Sequence, residues 1–184
     1  SKPAAALHAA VRDVDLVLHA AGPSIHTGPP MLAACLAGVT NYLDINGEIA
    51  VLDLAFQYGQ PAWEREIAII PGVGFDVVPT DCLAVYVARQ VTQPTRLTLA
   101  MHTLANASPG TLKGSLETIA RSAEGRVRRA GRLEPYPYGQ GVRRFPFPTG
   151  MRLAAPIPWG DLVTAYHSTG IPNITTCMAY PPTM

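Results

Sequence analysis

Little of this chain is charged. Asp, Glu, Lys and Arg make up 15% of 184 residues, and 14 basic side chains nearly balance 13 acidic ones, for a formal net charge of +1. Without a basic surplus, neither nucleic acid nor an anionic membrane is expected as the main partner. Cysteine is scarce as well. Cys35, Cys82 and Cys177 are odd in number, widely spaced and form no C-x-x-C pair. That excludes a disulfide framework and a cysteine zinc site, and suits a reducing cytoplasm. His8, His19, His26, His102 and His167 show no paired ligand spacing, so no metal is expected. No apolar run approaches the roughly 18–20 residues of a membrane helix; Ile67 to Ile70 stops at Pro71. No secretory leader is expected, and no G-x-S-x-G nucleophile motif occurs in these residues.

What is present is a 48% hydrophobic fraction, enough for a core, punctuated by 16 glycines and 18 prolines that set sharp loops. Ala4, Leu7 and Val11 lie at helical spacing, so residues 3–12 read as a helix. Asp15 to Ala20 is a short, nearly continuous apolar run, as in a strand covered on both faces. Ala21-Gly22-Pro23 breaks it; Pro29 and Pro30 then open a helix over 31–37 that Gly38 closes. A strand over 41–45 ends at Asn46-Gly47, and a helix over 48–58 places Ile49, Leu52 and Phe56 on one face. Pro61 begins a short helical turn around Trp63, and a third strand over 67–70 meets Pro71-Gly72.

Strand alternating with helix, joined by short loops, predicts parallel βαβ units with helices on both sheet faces. Every strand's carboxyl end carries small residues: Ala21-Gly22-Pro23, Asn46-Gly47 and Gly72-Val73-Gly74. Open α/β sheets bind ligands outside those ends, so a nucleotide site is expected there. Beyond residue 78 the pattern changes. A helix over 80–90, a strand over 95–103 and a helix over 110–122 precede an Arg-, Pro- and Gly-rich stretch of hairpins to Trp159. A last strand is expected over 175–180, and the domain boundary falls near residues 75–80.

Gly72-Val73-Gly74-Phe75-Asp76 superficially fits a dinucleotide fingerprint, but Val77 stands where the third glycine belongs. The next helix starts only after Pro79, too late for its N-terminus to hold a pyrophosphate. Asp76, at the loop apex, either meets polar atoms of a ligand or closes an Asx-type turn. Asp81 reads first as a helix-dipole partner. Asp44 and Glu48 bracket the end of the second strand, where Glu48 is a first-turn acid or a ligand contact. His19 reads as a core histidine, whereas His26 and His167 lie in loop-like contexts. Tyr166-His167-Ser168-Thr169-Gly170 crowds proton donors together, as a general acid requires. The arginines from Arg121 to Arg152 suit carboxylates or phosphates but read more simply as a solvated hairpin face.

Four stretches in order resemble the saccharopine dehydrogenase-like oxidoreductases, which include trans-acting enoyl reductases. They are Ala20-Ala21-Gly22-Pro23 with Gly28 and Ala34-Cys35; Asn41 to Glu48; Pro71 to Cys82; and Pro158 to Asp161 with Thr164 to Asn173. The resemblance implies the C-terminal part of a Rossmann-type doubly wound parallel sheet over 1–78. Part of an α+β substrate or dimerisation domain over 79–184 would follow. It implies NAD or NADP as cofactor and hydride transfer to or from a C=C, C=N or C=O substrate. Ala20, Ala21, Gly22 and Pro23 would line the cofactor, with Gly47, Glu48, Gly74 and Phe75 on its nicotinamide side. Asp76, Tyr166 and His167 are the candidates for the proton donor or for substrate orientation. Ser24 departs from a common aromatic and His19 from a common Asn. The family's N-terminal strand and glycine-rich phosphate loop have no counterpart, so an interior piece, inactive by itself, is expected. The partner expected is a small-molecule substrate, lipid-like ones included, with a homodimer allowed. The rival reading is a non-catalytic scaffold or lipid-associated interaction protein.

Overall fold

The structure is a computed structural model that describes residues 4–102 and 124–179. The helix expected over 110–122 lies outside the described residues. The chain divides into two compact units, residues 1–82 and 83–184. Helix α5 (Val78–Ala88) runs across the division.

In the first unit, α1 (Ala4–Val11), β1 (Leu16–His19), α2 (Ser24–Gly38), β2 (Asn41–Asp44), α3 (Ile49–Gln57), α4 (Gly59–Glu64) and β3 (Ile69–Ile70) follow in order. The strands form a parallel sheet in the order β1-β2-β3, with Leu16 opposite Asn41 and Tyr42 opposite Ile69. Asn41 stitches the entry to this sheet. Its Nδ2 donates to the Asp15 carbonyl at 2.8 Å, and its Oδ1 accepts the Ala68 N–H at 2.8 Å. With the Ala68 N–H taken by a side chain, the ladder of β3 begins late, which accounts for a two-residue strand where four were expected.

Val17, Tyr42 and Ile69 face a core built with Val11, Leu32, Cys35 and Ala55 from α1, α2 and α3. Fully burying a side chain such as Leu32 contributes about 1.5–3 kcal/mol. The opposite sheet face differs from the expectation of two covered faces: Leu16, Leu18 and Ile70 are 49%, 59% and 51% exposed. These strands therefore have the two-sided apolar pattern of a buried parallel sheet but helical cover on one side among the described residues.

Helix α2 begins at Ser24, and Pro29 and Pro30 lie within it rather than at its start. Two contacts set the earlier start. Glu48 Oε1 accepts the Ser24 N–H at 2.9 Å, and the Thr27 hydroxyl donates to the Ala21 carbonyl at 2.7 Å. At the other end, Gly38 is not the left-handed residue; Val39 is, with φ 56°. A Cβ at Gly38 would stand 3.0 Å from Val11 Cγ2, so this glycine permits the close approach of α1 and α2. The left-handed position then falls on a β-branched residue, which is disfavoured there. Val39→Gly is therefore expected to raise stability by about 1 kcal/mol, seen as a higher midpoint in urea.

The second unit holds β4 (Arg96–Met101), β5 (Gly125–Arg129), β6 (Arg132–Tyr136), β7 (Arg143–Phe147), β8 (Gly150–Pro156), α6 (Asp161–Thr169) and β9 (Asn173–Ala179). The expected hairpins are present as β5–β6 and β7–β8. β9 organises the six-stranded sheet. Parallel β4 runs along one edge, and the other edge takes β5 at Ile174 and β8 from Cys177 to Ala179. Leu97, Leu99, Val127, Leu162, Ile171 and Ile174 are buried around it. Edge strand β7 carries Arg143, Arg144 and Pro146, residue types that discourage pairing with another strand.

Helix α6 corrects the loop-like setting read for His167, and α2 does the same for His26. The reason is visible in α6. Leu162, Val163 and Ala165 are buried in a helix of only nine residues, terminated by Gly170 with φ 70°. So short a helix carries too few turns for its apolar period to stand out.

Candidate functional site

Within the first unit the loops after β1, β2 and β3 leave the same, carboxyl, end of a parallel sheet. The first is Ala20 to Pro23. Gly22 has open space around the position of a Cβ, so backbone alone faces outward there. The second is Ile45 to Glu48, and the third runs from Pro71 to Val77. The last two touch. A Cβ at Gly74 would stand 3.0 Å from the Ile45 carbonyl oxygen, and one at Gly47 would lie 3.5 Å from Asp76 Cβ. The backbone at Gly74 therefore lies against the backbone at Ile45, an approach that only glycine allows. Phe75 is 89% exposed at the tip of the third loop.

Glu48 has a defined partner. Its carboxylate accepts the Ser24 N–H at the start of α2, where an acid is favoured by the exposed N–H groups and the dipole. A carboxylate in that place competes with phosphate for the helix end. The loops thus offer glycine backbone and small side chains, with the anion position at α2 already filled from within the chain.

The loops are tied together beneath by residues that the sequence reading left out of its site. Asp44, at the end of the central strand, is fully buried. Its Oδ1 accepts the N–H groups of Asn46 at 3.1 Å and Gly72 at 2.7 Å, and its Oδ2 accepts the Tyr42 hydroxyl at 2.8 Å. Asn46 Oδ1 in turn accepts the Glu48 N–H at 3.0 Å. Burial foremost, then the adjacent Asp44 carboxylate, pushes the Tyr42 phenol well above its ordinary range, so its proton stays in place. The signal available in sequence was Tyr42 and Asp44 two apart on a strand, hence on one face.

Tyr166 and His167 belong to α6 of the second unit. The Tyr166 ring lies under the Arg128 guanidinium, 4.2 Å from Cζ to the ring centroid, and edge-on to His167 at 5.7 Å. A Cβ at Gly131 would stand 3.1 Å from the Tyr166 hydroxyl oxygen, so the β5–β6 turn packs on that hydroxyl. Arg128, which positions this ring, was read only as one member of a basic stretch. Asp76 belongs to the first unit. Among the described residues no group of three or more metal-ligating side chains occurs, and no helix is long and apolar enough to cross a membrane.

The chain is similar to curated proteins that carry the family names read from its motifs. A saccharopine dehydrogenase-like oxidoreductase of Bos taurus is 34% identical over 83 residues, 45% of this chain and 19% of that protein. A protein of Mycobacterium tuberculosis named as a trans-acting enoyl reductase is 35% identical over 81 residues, 44% of this chain and 19% of that protein. The matched stretch is thus about a fifth of either relative's length. Among solved structures, apo saccharopine dehydrogenase (L-Glu forming) from Saccharomyces cerevisiae aligns with a TM-score of 0.59 at 14% identity, covering 96% of this chain and 42% of that one. That likeness is one of fold, a mixed α/β architecture with a parallel sheet. No protein-family model matches the chain.

Proposed function

We propose that the chain is part of an NAD(P)-dependent oxidoreductase that passes a hydride between the nicotinamide and a C=C, C=N or C=O substrate. One observation carries the reading: three adjacent parallel strands end in loops, the last two touching, whose backbone lies open at Gly22 and closely packed at Gly74. Ligands of open α/β sheets are held outside such strand ends. Strand order β1-β2-β3, with α1, α2 and α3 packed on one face, supports reading this unit as the C-terminal part of a doubly wound sheet.

The donor set suits the phosphate-free nicotinamide end of a dinucleotide. Glu48 occupies the start of α2, so the pyrophosphate is held elsewhere, while Ala20 to Pro23, Gly47, Gly74 and Phe75 offer backbone and apolar surface. The cofactor would give or take the hydride when bound. The chain's own residues bind and orient it and exclude water. Asp76, Tyr166 and His167 are the proposed proton donors or substrate-orienting groups, with NAD or NADP as the cofactor.

The test is a fluorescence titration of the full-length protein with NADPH and with NADH. Saturable binding of either in the micromolar range is expected; no binding at about millimolar levels overturns the proposal. The exposed Leu16, Leu18 and Ile70 favour a second reading, a non-catalytic scaffold or lipid-associated interaction protein. That reading predicts a melting temperature unmoved by either nucleotide.

A further inference from the structure

A carboxylate is an expensive thing to bury, and Asp44 is buried completely with a hydroxyl and two backbone N–H groups as its neighbours. Its own carbonyl also accepts the Val73 N–H at 2.7 Å. From Asp44 one connected chain of hydrogen bonds reaches all three loops. It passes to Gly72 directly, and through Asn46 and Glu48 to Ser24 at the end of the first loop.

The chain also runs the other way. The Tyr42 hydroxyl lies 3.3 Å from His19 Nδ1. A phenol has one proton, and a carboxylate can only accept, so that proton is committed to Asp44. The Tyr42 oxygen is then an acceptor, and His19 must present N–H at Nδ1. The network thus calls for N–H at Nδ1 of His19, the last residue of β1 before Ala20.

We propose that Asp44 is the positioning residue of this site: it sets the geometry of the three loops and, through Tyr42, the Nδ1–H tautomer of His19. The first half of this proposal rests on the nucleotide reading above; the second stands without it.

Asp44→Asn in the full-length protein separates them. The amide oxygen can keep both backbone N–H groups, but its NH2 then faces the Tyr42 hydroxyl. That hydroxyl must reverse, accept from Asn and hand its proton to His19 Nδ1. Nitrogen-15 NMR is expected to show His19 switching to the Nε2–H form, and NADPH affinity is expected to fall about tenfold. Val51→Ala, a core truncation in α3, controls for general loosening and is expected to leave the tautomer unchanged. An unchanged His19 tautomer together with wild-type affinity in Asp44→Asn overturns the proposal. If the wild-type protein binds no nicotinamide nucleotide, the nucleotide reading falls, and the His19 switch alone decides the hydrogen-bond order. Should Asp44→Asn not fold, Tyr42→Phe decides instead. It keeps the loop bonds, so His19 is expected to lose its single tautomer; a retained pure Nδ1–H form refutes the assignment.

Discussion

Arg128→Met is expected to destabilise the second unit by about 3 kcal/mol, more than most single substitutions do. Arg128 is 6% exposed, an unusual place for a charge. Its Nε donates to the Leu162 carbonyl of α6, and its Nη1 donates at 2.6 Å to the Gly131 carbonyl in the β5–β6 turn. Its plane covers the Tyr166 ring. Methionine approximates the volume but donates nothing, so two carbonyls lose their donors. Each such loss costs about 1–3 kcal/mol, and the cation–π contact adds up to about 2 more where desolvated. In a unit of this size, each kcal/mol lowers the melting temperature by about 4–8 °C. Thermal melting by circular dichroism measures it, with exposed Arg144→Met as a control expected to change stability by less than about 0.5 kcal/mol. Equal melting of the two variants would remove Arg128 from any account of this core. Lysine is not expected to rescue, because a single ammonium cannot fork to both carbonyls while stacking on the ring.

The same arginine shows why part of the molecule was legible in sequence and part was not. The basic stretch reads as a hairpin face, and the hairpins are there; Arg129, for example, pairs with Glu134 at 3.9 Å on an exposed surface. Nothing local distinguishes Arg128, whose partners lie on α6 and in a turn that folding alone brings close. Whole-chain charge concealed a second feature. Residues 1–82 carry three basic and nine acidic side chains, and residues 83–184 carry eleven and four. The balance that argued against anionic partners is thus an average over two units of opposite sign.

In the first unit the elements β1, β2 and α3 lay close to where periodicity put them, since short runs bounded by glycine and proline leave few alternatives. The start of α2 was not legible, because the group that satisfies Ser24 is Glu48, 24 residues later. Asp44 was noticed for its position, but its hold on Gly72 spans 28 residues. Hydrogen bonds of that reach leave no periodic trace. The glycines were legible as breakers, whereas their close approaches to Val11 and Ile45 required the packed structure.

A third such approach gives the other large expected effect. Gly28 is buried in α2, and a Cβ there would stand 2.8 Å from Val51 Cγ1 of α3, closer than carbon atoms pack. Gly28→Ala removes a glycine from a helix interior, which by itself favours folding by about 0.5–1 kcal/mol. Overpacking opposes it by about 1–3 kcal/mol, so a net loss is expected. Val51→Ala alone is destabilising, since it empties space beside a residue that is 1% exposed. Combining them places the new methyl where a Val51 methyl was. The double variant is therefore expected to be more stable than the sum of the two losses by about 1–2 kcal/mol, measured by urea unfolding of all four proteins. Strict additivity would mean that α2 and α3 can separate freely at this point. The consequence reaches the site, because the Glu48–Ser24 bond joins the start of α3 to the start of α2. Wedging the helices apart one turn along strains that bond, so Gly28→Ala is expected to weaken nicotinamide-nucleotide binding as well, and Val51→Ala to restore it.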